Sequence, residues 1–202
     1  MSMNKFESLE ILKISGKNIE PHIDSLASLR IRVFREFPYI YDGSVNYEKK
    51  YLSVYVHSPE SIAILVYHGE ELIGASTGLP LSDEAAEFKK PFIENDMDPK
   101  NVFYCGESIL LPAYRGRGIY STFINGREKH ARDLGKFSTI CFCAVQRPEN
   151  HPLKPDNYRP LDPVWKKFGY TKHSGFTTHF SWKDVNDNDE SPKELVFWMK
   201  KL

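Results

Sequence analysis

The sequence predicts a mixed fold of the α/β class, α+β in kind, in one domain over residues 1–202. Three observations carry this. Short apolar or alternating segments recur along the chain and read as strands, with stretches of helical apolar spacing between them. Their order, β-α-α-β-β-β-α-β-α-β-β, suits a mixed sheet with helices packed on it. A chain of 202 residues with 41% apolar and 27% charged residues is ordinary for a globular domain and long enough to bury a core.

The elements follow in order. "SLEILKIS" (8–15) alternates and is the first strand. Ile23, Leu26, Leu29, Val33 and Phe37 place a helix at 19–36, and "NYEKKYLSVYVHS" places a second at 46–58. "SIAILVYH" (61–68) and "ELIGASTGLPL" (71–81) flank Gly69-Glu70 and form a hairpin. Residues 82–100 are polar, carry two prolines and read as an inserted loop with one helical turn, a lid bearing Phe88 and Phe92. "VFYCGESILL" (102–111) is a single strand. Ile119, Phe123, Ile124, Ala131 and Leu134 mark a helix, with Gly135 just past its end. "FSTICFCAV" (137–145) is a strand, and 146–163 is proline-rich, its 146–161 portion a second insertion. Asp162 is placed to cap a short helix with Pro163 at its first position and Leu161, Val164, Trp165 and Phe168 as its stripe. "TTHFSWK" (177–183) and "ELVFWMK" (194–200) close the sheet around an acidic loop at 184–190.

Composition narrows the function. Lys and Arg number 27, as do Asp and Glu, so the net charge is zero. A general nucleic-acid binder draws its affinity from phosphate neutralisation and is disfavoured; any anion site must be local. No segment reaches the roughly 18 apolar residues of a membrane span. "MSMNKFESLEILKI" has no apolar core of a signal peptide, which points to the cytoplasm. Cys105, Cys141 and Cys143 are an odd set without metal-ligand spacing and read as buried thiols in a reducing compartment.

The chemistry-bearing stretch is "LLPAYRGRGIY" (110–120). It lies between an apolar strand and an amphipathic helix. The first N–H groups of a helix lack internal partners, and its dipole adds partial positive charge. Gly116 and Gly118 let backbone close around an anion, while Arg115 and Arg117 add charge and forked donors. A bare surface turn or an RNA-contacting segment is the alternative. The P-loop pattern is absent, and Ser121 stands where a dinucleotide fingerprint needs its third glycine.

Arg115-x-x-Gly118-x-Tyr120, preceded by "ILLPAY" and followed by a helix, resembles the acyl-CoA motif of the GNAT superfamily of N-acetyltransferases. "VWKKFGY" (164–170) is similar to the family's last-helix ending. The resemblance implies a central, mostly antiparallel twisted sheet flanked by helices and splayed at the acyl-CoA site. It implies acetyl-CoA as cofactor, its pantetheine arm along Ile109, Leu110 and Leu111 and its pyrophosphate on Arg115, Gly116, Arg117, Gly118, Ile119, Tyr120 and Ser121. It further implies direct attack by a primary amine of a small molecule or peptide on the thioester, and a homodimer.

Within that frame Glu107 is the candidate base: a carboxylate in a mostly apolar strand, sharing a face with Cys105 and Phe103 by alternation. The other reading of Glu107 is a structural pair with a buried Arg or Lys. The family's tyrosine acid falls at Trp165, which cannot serve, and Tyr158 is the substitute. His151, Lys154, Tyr158 and Arg159 are placed to line the acceptor site on the 146–161 loop. Their charge allows an acceptor bearing a carboxylate or phosphate, and the balanced net charge does not favour a strongly cationic one. The remaining histidines show no ligand spacing. A second reading, favoured by Trp165, is an acyl-CoA-binding sensor with little or no turnover.

Overall fold

The computed structural model describes residues 9–202; Ser8 and the N-terminal stretch before it lie outside the described residues. The strands are β1 (Leu9–Ile14), β2 (Ile62–His68), β3 (Glu71–Pro80), β4 (Val102–Tyr104), β5 (Ser108–Leu110), β6 (Thr139–Val145), β7 (Thr171–Lys183) and β8 (Glu190–Lys201). The α-helices are α1 (Ile23–Phe34), α2 (Val45–His57), α3 (Ala86–Ile93), α4 (Ile119–Asp133) and α5 (Asp162–Lys167). The strands form one sheet in the order β1-β2-β3-β4-β6-β8-β7, with β5 also paired to β3. Every pairing is antiparallel except β4 with β6, so the sheet is mixed and mostly antiparallel.

Helices form where a stripe can be buried. Leu26, Ala27 and Leu29 of α1 and Leu52 and Tyr55 of α2 are buried, and both helices pack on β3. Ser44 caps α2 by accepting the Tyr47 N–H. α4 buries Ile119, Phe123, Ile124 and Ala131 against β2, β3 and β5. At Gly126 a Cβ would press on Ile64 of β2, so a glycine lets α4 lie close to the sheet.

Four expectations change. The segment 102–111 is two strands. β4 pairs with β6 through Tyr104↔Cys141, and β5 then pairs with β3 alone. Between them Gly106 and Glu107 keep bonds to Thr77, Gly106 N–H to the Thr77 carbonyl and Thr77 N–H to the Glu107 carbonyl. This break ends strict alternation, so Glu107 does not simply share a face with Phe103. Residues 86–93 are a two-turn helix rather than one turn in a loop. Phe88 and Phe92 are buried against Phe180, Tyr104, Phe176 and Phe197: Phe92 is core, and Phe88 packs in the core while also lining a cavity. β7 starts six residues before 177; its polar residues hid it, because an edge strand exposes both faces. Asp162 is the first residue of α5 and makes no capping bond. Among the described residues no helix is long and apolar enough to cross a membrane. All three cysteines are free and buried, as expected.

Candidate active site

Past Tyr104, where β4 leaves β6 and β5 stays with β3 alone, the sheet opens between β5 and β6. β6 continues to Val145 with β8 on one side only, and among the described residues β5 has no strand on its outer edge. The cleft widens into a cavity of about 1070 Å³. Its walls include Ile109 and Leu110 of β5, Phe142 to Gln146 at the end of β6, and the glycine turn at the start of α4.

That turn has the form of an anion cradle. Gly116 and Gly118 have φ of +77° and +82°, and a Cβ at either would meet nothing within 4 Å. Glycine is therefore required by backbone conformation and not by crowding. Gly118 is the N-cap of α4, with no side chain capping it. The helix presents its first N–H groups and dipole to the cleft mouth. Arg115 is partly committed: Nε donates to the Leu110 carbonyl at 3.1 Å and Nη1 to Glu36 at 2.9 Å. It thereby ties the turn to the end of β5. Arg117 lies over the Tyr114 ring at 5.3 Å.

Residues 26–155 match the family model described as the Acetyltransferase (GNAT) family, more than half of the chain. The chain belongs to this family. GNAT members use acetyl-CoA, and this is an acyltransferase of that family. No match was found among curated proteins. Among solved structures it is similar to the ribosomal-protein-alanine N-acetyltransferase of Brucella melitensis (TM-score 0.60, 11% identity, 95% of this chain and 99% of that one). It is also similar to NAA60 of Arabidopsis thaliana, solved with a bisubstrate analogue (TM-score 0.58, 14% identity, 96% and 99%). An acetyltransferase of Streptococcus agalactiae gives TM-score 0.58 at 12% identity, covering 98% and 100%. At such identities the structures share the fold.

The other expected GNAT residues divide. Ile109, Leu110, Arg115, Gly116, Gly118, Ile119 and Tyr120 line the cavity; Leu111, Arg117 and Ser121 do not. The Leu111 N–H instead bonds the Ile73 carbonyl at 2.9 Å, and the Ser121 N–H closes the first turn of α4 on the Gly118 carbonyl. Tyr158 and Arg159 line the far wall, with Tyr158 edge-on to Phe37 at 4.6 Å. His151 meets the same Phe37 at a tilt, 5.7 Å between ring centres, from outside the lining, and Lys154 donates to the Glu149 carbonyl.

Glu107 is 5% exposed and its carboxylate is ion-paired to Arg30. Burial pushes its carboxyl up, and Arg30 pulls it back. Arg30 also pairs with Glu48 and lies over the Phe34 and Tyr51 rings at 4.9 and 4.5 Å. Arg127, 3% exposed, donates to the Glu107 carbonyl at 2.9 Å. Glu84 is 4% exposed, takes the Ala85 N–H at 3.1 Å and faces the Tyr55 hydroxyl at 3.5 Å. Burial pushes its carboxyl up to about 7. Arg147 holds Asp184 with two bonds and the Pro38 and Tyr39 carbonyls with two more, clamping the α1–α2 loop to the end of β6.

Sequence reasoning passed over Arg30, Glu48, Glu84, Arg127 and Arg147. A signal existed for three. Arg30 follows Leu26 by four, Glu48 precedes Leu52 by four, and Arg127 sits between Phe123 and Ala131, each a charge on an apolar stripe.

Trp165 is not an isolated replacement. Its indole Nε1 donates to the Tyr120 hydroxyl at 2.8 Å, and both side chains line the cavity. Burial pushes the Tyr120 phenol up, while Arg127 and the Trp165 bond pull it down. The cysteines are not nucleophiles: burial pushes the Cys105 thiol up to about 11 and the Cys143 thiol up to about 12.

Proposed function

We propose that this chain is an N-acetyltransferase that moves an acetyl group from acetyl-CoA to a primary amine of a small molecule or peptide, by direct attack within a ternary complex. The observation that supports it most is the unpaired edge of β5 leading into the open glycine turn of α4. A strand edge suits an amide-bearing arm, and bare N–H groups beside Arg115 suit a pyrophosphate. When bound, acetyl-CoA supplies the activated acyl carbon. The chain's own residues do the rest. Ile109 and Leu110 orient the arm, and the clamp of Arg147 on Asp184 holds the opposite wall. In the net reaction the amine nitrogen loses a proton and gains a bond to the acyl carbon, the carbon–sulfur bond breaks, and the thiolate takes up a proton.

Two carboxylates are near enough to serve: Glu107 lines the cleft, and Glu84 lies behind it within electrostatic reach of Glu107. Glu107, tied to Arg30, holds negative potential there. Among the described residues Glu84 has no such partner, and it is the better proton acceptor near neutral pH. Tyr120, held through its oxygen by Trp165, keeps its own proton free to donate toward the leaving sulfur, with Tyr158 a second phenol on the far wall. The Tyr120–Trp165 pair returns a phenol to the place where Trp165 alone suggested a sensor without turnover. Three free buried thiols fit a cytoplasmic setting.

Calorimetric titration with acetyl-CoA, desulfo-CoA and ATP tests the reading. Micromolar binding of both CoA ligands with ATP much weaker is expected. No binding of either CoA ligand would remove the cleft from acyl-CoA chemistry.

A further inference from the structure

A second cavity, of about 550 Å³, meets the first at Phe34, Tyr39, Gly106 and Cys143, where the sheet opens between β5 and β6, and no glycine-turn residue lines it. We propose that this second cavity is the acceptor site and that it selects a compact organic ammonium, with Glu84 as the carboxylate that meets it. The inference rests on the acetyltransferase reading above and names its substrate class.

Charge is the first argument. Glu48 and Glu84 line the cavity beside Arg30, which is already shared by Glu48 and Glu107; Arg127 answers Glu107 from the other side and does not line this cavity. Glu48 Oε1 and Glu107 Oε1 are buried and have no hydrogen-bond partner; the Tyr41 and Thr77 hydroxyls stand near without forming a proper bond. Among the described residues Glu84 has no cation at ion-pair distance. A buried carboxylate without a paired cation, as Glu84 is, is costly to ionise, and an incoming ammonium relieves that cost while a carboxylate or phosphate would add to it. Lys50 and Asp83 both line the cavity and offset one another.

The walls give the second argument. Tyr41, Tyr47, Tyr104, Phe88, Phe180 and Trp182 line the space. Aromatic faces attract cations, and Arg30 already sits over the Phe34 and Tyr51 faces of the same cavity. The volume falls in the range of small-molecule sites, roughly 300–1,000 Å³.

Position and proton affinity complete it. The groups facing Glu84 are Tyr55 and Tyr51 from α2, Arg30 from α1, Tyr104 from β4, Glu107 from the break and Cys143 from β6. Burial is the main cause of its raised carboxyl, Glu107 adds to it, and the Ala85 and Tyr55 bonds and Arg30 oppose it. A carboxyl poised near 7 takes a proton from an ammonium without holding it against water.

Two probes of like size and opposite charge test this on the full chain: phenethylamine and 3-phenylpropionate, with a free-amine hexapeptide beside them. Binding is read without cofactor through the fluorescence of Trp182, assigned with Trp182→Phe, and transfer is read as thiol release from acetyl-CoA. Phenethylamine should saturate, and the carboxylate should bind at least tenfold more weakly. Glu84→Gln should lower phenethylamine binding and thiol release at least tenfold with acetyl-CoA affinity unchanged. Tyr47→Ala, at a residue 55% exposed and so harmless to folding, should weaken phenethylamine about threefold. Equal binding of the two probes, transfer to the hexapeptide alone, or indifference to both variants would overturn the inference. Acetyl-CoA binding with no amine binding would sink this inference and leave the family activity standing; no acetyl-CoA binding would sink the proposed function first.

Discussion

Gly118 carries the phosphate argument at the scale of one residue. Its φ of +82° strains any other residue by about 1–2 kcal/mol, and an aspartate there would also set a negative charge against the ligand. Gly118→Asp should weaken desulfo-CoA at least 100-fold in calorimetry. Gly135→Asp is the control: its φ of +70° imposes like strain at the other end of α4, where no ligand is expected. Equal loss in both would make the effect one of folding. Tyr120 and Trp165 call for a different measurement. If the phenol donates to sulfur, it stabilises the thiolate of bound CoA, so Tyr120→Phe should raise the pH at which thiolate absorbance appears by about one unit, the worth of one hydrogen bond to a charged group. Trp165→Phe should do so by less. No shift in Tyr120→Phe would leave Tyr158 as the candidate donor. The sequence shows Trp165 only as a missing tyrosine, because the residue that answers it lies 45 positions earlier.

The site exists because one apparent strand is two. At Gly106 a side chain would fall inside the Tyr55 hydroxyl and against Thr77, so Tyr55 of α2 sits where the chain turns from β4 to β5. Gly106→Ala should cost about 1–3 kcal/mol in urea unfolding, as overpacking does, and should also impair ligand binding, since Tyr55 holds Glu84. A neutral result would mean that the break does not depend on this contact. The hairpin, α1, α2, α4 and β6 were legible because each pairs a clean apolar period with a stop signal. The break was not, because "VFYCGESILL" is apolar enough to read straight through, and what interrupts it is packing from α2. α3 was hidden by its charges and by Pro91. Its role also reverses: Phe92 is fully buried, so Phe92→Ala should cost about 3–5 kcal/mol of stability, where a lid residue would alter only substrate affinity.

At the scale of the molecule, zero net charge conceals a strongly uneven interior. Whole-chain counting does not favour a strongly cationic acceptor, but it says nothing of where charges sit: Glu48 and Glu107 share Arg30, and Glu84 lies near them, because α1, α2 and the β4–β5 break converge there. Counting sees totals; only the fold sets which charges lose their water. The consequence is a pH dependence with a definite sign. The Glu84 carboxyl is raised to about 7 in the folded protein, above its ordinary value, so ionising it opposes folding. The stability it contributes is whole below its unfolded range and is lost as pH rises through 7. The loss is about 3 kcal/mol once ionisation is complete. A glutamine side chain at this position would keep the shape and never ionise, so Glu84→Gln should match the parent near pH 5 and melt higher near pH 8, the gap opening by roughly 5–10 °C for a chain of this size. Thermal unfolding at both pH values measures it. A gap that stays constant from pH 5 to pH 8 would show that water reaches Glu84, and a hydrated carboxylate would have no unmet charge with which to draw an ammonium into the second cavity.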